Sequence, residues 1–249
     1  MFKSIVKIAF FGLLVAFVVV TMAFSTSKLA KVHCDEIVVV IDKDSPRFID
    51  EEEIAALVKK AGGNLLNTRL DSINTERLEA ELRKVTAIKN IEIYRRVTGE
   101  DMDFKGRLMV EVKQRQPILR VINDKENFYL DDEGVRIPAN QGVATQVLLV
   151  NGDVSEKYAR EELLPMVKFI RSDEFWNAQI EQLQVNRQGD VIMAPLVGDQ
   201  IIELGKTVDF QIKFRNLRAL YDQAFSKVGW EYYSKINLKY RNQVVCTKK

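Results

Sequence analysis

Residues 106–117 read GRLMVEVKQRQP. Leu108, Val110 and Val112 alternate with Arg107, Met109, Glu111 and Lys113, the period of a strand with one buried and one wet face. Pro117 closes the stretch and marks a joint, so the elements upstream of Gln114 must supply the layer that this strand packs against. Ile88, Ile91 and Ile93 introduce a strand that runs to Arg96. Further upstream, Asn74 or Thr75 caps a helix in which Leu78, Leu82 and Val85 recur at spacings of four and three. Asp50 and Glu53 have the spacing of an N-cap and its reciprocal acid, and Ile54, Leu57 and Val58 then share one helical face until Gly62-Gly63 stops it. The segment EIVVVID, Glu36 to Asp42, is short and dense in β-branched residues, which argues for a strand ended by Ser45 and Pro46. The order is β-α-α-β-β over residues 36–114.

That order, two helices over a three-stranded sheet in about 80 residues, resembles a POTRA domain. Downstream, residues 115–246 are expected to form a β-rich domain with a mixed sheet and flanking helices, giving an α+β fold overall. Ile118–Ile122, Phe128–Leu130 and Val147–Val150 read as strands, with Asp131-Asp132-Glu133-Gly134 and Asn151-Gly152 as turns. Leu163, Leu164, Val167 and Ile170 predict a helix over Ala159–Arg171 with Pro165 in its first turns. A meander follows at Ile180–Val185, Val191–Pro195 and Gln200–Leu204, then a helix over Asp209–Val228 ended by Gly229. In Lys235–Arg241, Ile236, Leu238 and Tyr240 alternate with Lys235, Asn237, Lys239 and Arg241, which predicts the last strand; Thr247–Lys249 are expected to be a short tail.

Before all this, residues 8–24 run IAFFGLLVAFVVVTMAF without a charge, and Ile5 and Val6 extend the stretch to a length that spans a bilayer. A cleavable signal peptide is the competing reading, disfavoured because the run exceeds the ~7–15 residues of a signal core. The expectation is a cytoplasmic start at 1–7, one transmembrane helix at 8–24, a juxtamembrane linker at 25–35 and the bulk of the chain outside the inner membrane, in the periplasm. The 249 residues are 47% hydrophobic and 29% charged with only 12 Gly and 5 Pro, the composition of a folded chain. Net charge is +2. Lys3 and Lys7 account for it, so the remainder is formally neutral and lacks the footprint that nucleic acid requires. Two Cys cannot make a disulfide scaffold.

The pieces together resemble the FtsQ/DivIB family of bacterial cell-division proteins. Those pieces are Gln114-Arg115-Gln116-Pro117 at the joint, Tyr129-Leu130-Asp131 through Gly134-Val135, Ile202-Glu203-Leu204-Gly205 followed by Lys213-Phe214, and Ile236-Asn237-Leu238-Lys239-Tyr240-Arg241-Asn242. The departures are Gln114 where an acid is usual, no Pro before Gly152, and Asn237 in place of an Asp. The resemblance implies a divisome scaffold without catalytic chemistry or cofactor. It would bind FtsB/DivIC-like and FtsL-like bitopic proteins, partly by strand addition at its C-terminal strand, and link them to the septal wall synthase. Strand addition needs an edge with free N–H and C=O groups. Tyr240–Val244 is the expected docking segment, with Lys239 and Arg241 selecting an acidic partner and Asn242 and Gln243 within it. Trp230, Tyr232 and Tyr233 are candidate anchors, with core packing the alternative reading of each; the lysines and arginines could equally blunt an edge.

Other constellations carry less. His33 beside Cys34 lacks further ligands for a metal. Glu51-Glu52-Glu53 suits a helix N-terminus, and Asp131-Asp132-Glu133 is read as a solvated turn. Two rivals remain: an exported hydrolase using Asp131, Asp132 or Glu203, and a POTRA-bearing export chaperone, which would need repeated units or a barrel.

Overall fold

The computed structural model describes residues 10–21, 32–44, 46–99, 104–139, 145–241 and 243–249. The chain divides into two units, Met1–Gln114 and Arg115–Lys249. Residues 10–21 are helical and exposed throughout; the rest of the 8–24 segment, like Asn242, lies outside the described residues. Among the described residues no helix is long and apolar enough to cross a membrane.

In the first unit, β1 (Cys34–Ile41), α1 (Glu51–Gly62), α2 (Thr75–Leu82), β2 (Ile88–Thr98) and β3 (Lys105–Gln114) follow one another, and the sheet order is β1-β3-β2. The first strand starts at Cys34 rather than Glu36, inside the stretch read as linker. Val32 and Cys34 are buried, and their backbones pair with the 68–70 segment, Cys34 N–H donating to Thr68 O at 2.8 Å and Leu70 N–H to Val32 O at 2.9 Å. The Asp50/Glu53 capping box forms in full, and Asn74 caps α2 through Arg77 N–H. Ile54 and Val58 of α1 and Leu78 and Leu82 of α2 are buried, as are Ile91 and Ile93 of β2 and Leu108, Val110 and Val112 of β3.

Gln114 ends β3 fully buried. Its Oε1 accepts from Phe48 N–H at 2.8 Å and Ile49 N–H at 3.1 Å while its Nε2 donates to Ile49 O at 2.6 Å. A carboxylate accepts but cannot donate, so the amide is the group that satisfies all three backbone atoms of the turn leading into α1. The departure from the family pattern at this position is thus a packing feature of this unit.

The second unit is built on one nine-stranded mixed sheet. Its strands are β4 (Pro117–Ile122), β5 (Asn127–Asp131), β6 (Arg136–Pro138), β7 (Leu148–Gly152), β8 (Ile180–Val185), β9 (Val191–Pro195), β10 (Ile201–Gly205), β11 (Tyr233–Asn237) and β12 (Val245–Lys248). They run in the order β12-β11-β10-β9-β8-β7-β4-β5-β6. Parallel pairs β4–β7, β7–β8 and β10–β11 are interspersed with antiparallel ones. Helices α3 (residues 156–172), α4 (Glu174–Gln179) and α5 (residues 210–228) supply the other layer of the core. Leu163, Met166, Val167 and Ile170 of α3, Trp176 of α4, and Phe214, Leu217 and Tyr221 of α5 join Leu119, Val150, Leu183, Met193, Leu204 and Ile236 of the sheet in one buried cluster.

Pro165 sits in the middle of α3, not near its start. The preceding turn, Ala159–Leu163, widens to a π turn in which Leu164 N–H reaches Ala159 O. Widening makes room for a ring that would otherwise clash with the carbonyl four residues back. A second π turn, Tyr221–Phe225, lies in α5.

The predicted last strand is corrected. β11 stops at Asn237, because Asn237 Oδ1 turns back to accept Lys239 N–H at 2.9 Å, an Asx turn that ends the ladder. Leu238–Arg241 lie outside any strand, and Val245–Lys248, read as the end of the domain and a tail, form β12. β11 is therefore flanked on both sides, by β10 and by β12. Its ladder offers no free backbone to a partner.

Candidate partner-docking site

The order of the sheet leaves two terminal strands. β6 is three residues long and contains Pro138, which has no N–H to offer. β12 is the other, and among the described residues no strand pairs with its outer side. Leu238 N–H donates to Glu203 O of β10 at 2.8 Å, so by alternation Asn237 and Lys235 turn toward β12. Their partners there are Val245 and Thr247. Lys249 N–H donates to Tyr232 O at 3.2 Å, which fixes the same phase from the far end of β12. Cys246, between them, directs its N–H and C=O outward.

The sequence-nominated residues fall into two groups at opposite ends of β11, separated by the strand's roughly 15 Å length. At its start stand Trp230, Tyr232 and Tyr233. Trp230 stacks on Phe225 with centroids 5.1 Å apart and an interplanar angle of 18°, yet remains 36% exposed. Tyr233 meets Phe225 edge-on at 5.9 Å, and Tyr232 meets Tyr233 at 5.0 Å. Both readings of Trp230 hold, since one face packs and the other is open. Exposed Leu196, Val197 and Ile201 lie in the β9–β10 turn and at the start of β10, the strand beside β11.

After its end come Lys239, Tyr240, Arg241, Gln243 and Val244. Tyr240 is 53% exposed. Arg241 reaches Asp209 only at 4.0 Å and is itself well exposed. Val244 packs against the core. Lys239 serves the fold itself. Its Nζ donates to Asp190 Oδ2 at 2.9 Å, and its stem crosses Gly205, where a Cβ would lie 2.8 Å from Lys239 Cγ. Gly205 also has φ +75°, a region that favours glycine. The hydrogen bond from Lys239 holds the Asp190 carboxyl below its usual range, and the same bond raises the Lys239 ammonium. Asp190 sits in the β8–β9 turn, so this pair pins the connection between β11 and β12 to the middle of the sheet.

Lys213 was legible only as part of a motif. It is buried in α5, where its Nζ donates to Leu204 O at 3.1 Å and Lys206 O at 2.7 Å. Burial pushes this ammonium down, against the pull of Asp209 and Asp190. The residue caps carbonyls at the end of β10 and just beyond it, which no helical periodicity could announce.

The acidic turn after β5 is corrected at its first residue, while Asp132 and Glu133 are exposed as expected. Asp131 is 1% exposed, not solvated. Its Oδ1 accepts from Glu133 and Val135 N–H, and its Oδ2 takes Arg115 Nη1 at 2.6 Å. Arg115 also holds Glu133 at 2.7 Å. Glu203 pairs with Lys235 at 2.7 Å. Asp131 and Glu203, both considered for acid/base work, are thus engaged in internal pairs. Cys34 and Cys246 are both free thiols, and burial raises each. Among the described residues no cluster could hold a metal ion.

The chain joins a β-α-α-β-β unit to a wide mixed sheet whose β12 edge is covered by no strand among the described residues. The profile described as POTRA-like domain matches residues 32–100, and the profile described as FtsQ/DivIB, C-terminal related matches residues 116–247. The chain belongs to the FtsQ/DivIB family of membrane-associated, non-catalytic scaffold proteins, and it is a cell-division protein carrying a POTRA-like domain. No curated protein matches it.

Proposed function

We propose that this chain is a bitopic divisome scaffold, anchored in the inner membrane by residues 8–24 with its N-terminus cytoplasmic and both units periplasmic. It binds FtsB/DivIC-like and FtsL-like proteins and connects them to septal peptidoglycan synthesis. A partner strand adds to the outer side of β12, the strand that directly follows the expected docking segment Tyr240–Val244, and not to β11, which is flanked on both sides. Tyr240, Arg241, Asn242, Gln243 and Val244 meet it at one end and Trp230 and Tyr233 at the other, with Lys239 holding the connecting segment in place.

The observation that carries this reading is the flank of β12, with which no strand pairs among the described residues. Strand addition draws affinity from main-chain bonds and register from flanking side chains, and exposed aromatic residues at one end and an exposed Tyr-Arg pair at the other suit that division of labour. The test is Cys246→Pro in the full chain. The lost N–H points outward, so only the modest loss of melting temperature that follows from removing the half-buried Cys246 side chain is expected, while capture of an FtsB/DivIC-like partner should fall at least tenfold. Undiminished capture by a normally folded variant would remove β12 from the interface.

A further inference from the structure

The outer flank of β12 is self-complementary, and we infer that it also accepts β12 of a second copy of this chain, antiparallel, about a two-fold axis through Cys246. The open edge alone carries this inference, whatever the identity of any division partner.

Cys246 directs both its N–H and its C=O outward, so placing the axis there lets two copies exchange both bonds reciprocally, N–H of each to C=O of the other. This is the hydrogen-bonded pair of an antiparallel ladder, with Cα atoms ~5.5 Å apart. The contact is isologous: Val245 faces Thr247 of the second copy and Thr247 faces Val245. Side chains at Val245, 43% exposed, and Thr247 then share the outer face.

Charge favours this register. Lys248 and Lys249 are the residues that would deter edge pairing, but the axis sets them opposite Val244 and Gln243, so no lysine meets a lysine. Both are also drawn back into their own unit. Lys249 Nζ binds Asp199 Oδ1 and Glu231 Oε2, each at 2.7 Å, and Lys248 Nζ lies 5.2 Å from the Tyr232 ring centroid. Val245, Cys246 and Thr247 carry neither charge nor proline, in contrast to the Pro-blunted β6.

Four residues a side bury less than the ~1,200 Å² of a stable complex. The association is therefore weak in dilute solution and, with the chain anchored as proposed above, belongs to copies concentrated in one membrane. It uses the same backbone groups as the partner strand, so self-pairing and partner binding are mutually exclusive.

The register makes Cys246 its own reporter, since a Cα separation of ~5.5 Å lies within the 4.4–6.8 Å range of disulfides. The full chain in its membrane is treated with copper(II)-phenanthroline, which takes two electrons from two thiols as their protons leave and the S–S bond forms. A reducible species of twice the chain's mass is expected. It should persist in Cys34→Ser and vanish in Cys246→Ser. Moving the thiol to Val245 in the Cys246→Ser background should slow cross-linking at least tenfold, because Val245 faces Thr247 and not itself. Added partner strand should suppress the cross-link. A wild-type chain that stays monomeric, or a Val245→Cys variant that cross-links as fast as Cys246, overturns the proposal. If the wild type stays monomeric while Cys246→Pro still abolishes partner capture, strand addition by a division protein stands and self-pairing falls. If the cross-link follows the predicted register but Cys246→Pro leaves capture intact, the reverse holds.

Discussion

The two ends of the nine-stranded sheet solve the same problem in opposite ways. At the β6 end the last strand is three residues long and contains a proline, and the strand beside it is locked by a buried ion pair between Arg115 and Asp131. At the β12 end the last strand is longer, its central residues are uncharged, and the fixtures that hold it are exposed: Lys249 with Asp199 and Glu231, and Lys239 with Asp190. In the first unit side chains meet part of the β2 edge, with Glu79 of α2 accepting Ile93 N–H at 2.8 Å and Arg95 reaching Ile73 O at 2.7 Å. The difference shows two treatments of an edge within one sheet, a short proline-bearing strand at β6 and an uncharged stretch at β12 that no described strand covers.

The largest effect should come from breaking the closed end. Asp131→Ala leaves the largely buried Arg115 with Glu133 alone and strips the acceptor from Glu133 and Val135 N–H, and should cost about 3 kcal/mol in urea unfolding. Partner capture by the folded fraction should be unchanged; a loss of capture at constant stability would mean the two ends are not independent.

Next is Gly205→Ala, which forces a side chain into a positive-φ position beneath Lys239. A cost of ~1–3 kcal/mol is expected, together with weaker partner capture as the 238–244 connection shifts. Thermal melts and capture measured on the same preparation check both.

Smaller still is Asp190→Asn. Lys239 is more than a third exposed, so screening limits the loss to under ~1 kcal/mol, but capture should drop a few-fold. The pH dependence has a defined sign. Asp190 is depressed in the folded state, so its contribution is present above the ordinary carboxylate value of ~3.9 and is lost as pH falls through its lower folded value. Lys239 is raised, so its contribution is present below ~10.4 and is lost as pH rises through its higher folded value. Stability of Asp190→Asn should therefore converge on that of wild type in strong acid and strong base, and differ between.

The smallest effect on stability should be Pro138→Ile, within ~0.5 kcal/mol, yet this change opens the closed edge. Light scattering at high concentration should rise. No change would assign the protection of β6 to something other than its proline.

The first unit is legible in the sequence because each element announces itself locally: a capping box at Asp50 and Glu53, helical spacing in Ile54 and Val58, alternation in β3. The end of the sheet is not. VCTK at 245–248 has no alternation, and the residues that make it a strand are in β11. The alternation of Lys235–Arg241 is real, but Asn237 ends the strand with a single side-chain bond that periodicity does not register. Asp131 and Gln114 escape a sequence reading for a shared reason. A polar residue beside a turn looks solvated until the groups it pairs with, some of them far away in sequence, are brought alongside. Of the nominated docking residues, Trp230 and Tyr233 are separated from the Lys239–Val244 group by a strand's length, and the open flank itself lies in a segment that reads as a domain end and tail.

The strands of the second unit from β7 onward take their places in the sheet in the order in which the chain encodes them. β12 is the last of these, joined to β10 through β11, which lies across the α5 crossover. The position of the β12 flank therefore depends on every strand between it and β7, and a displacement anywhere in that run is carried outward to the edge.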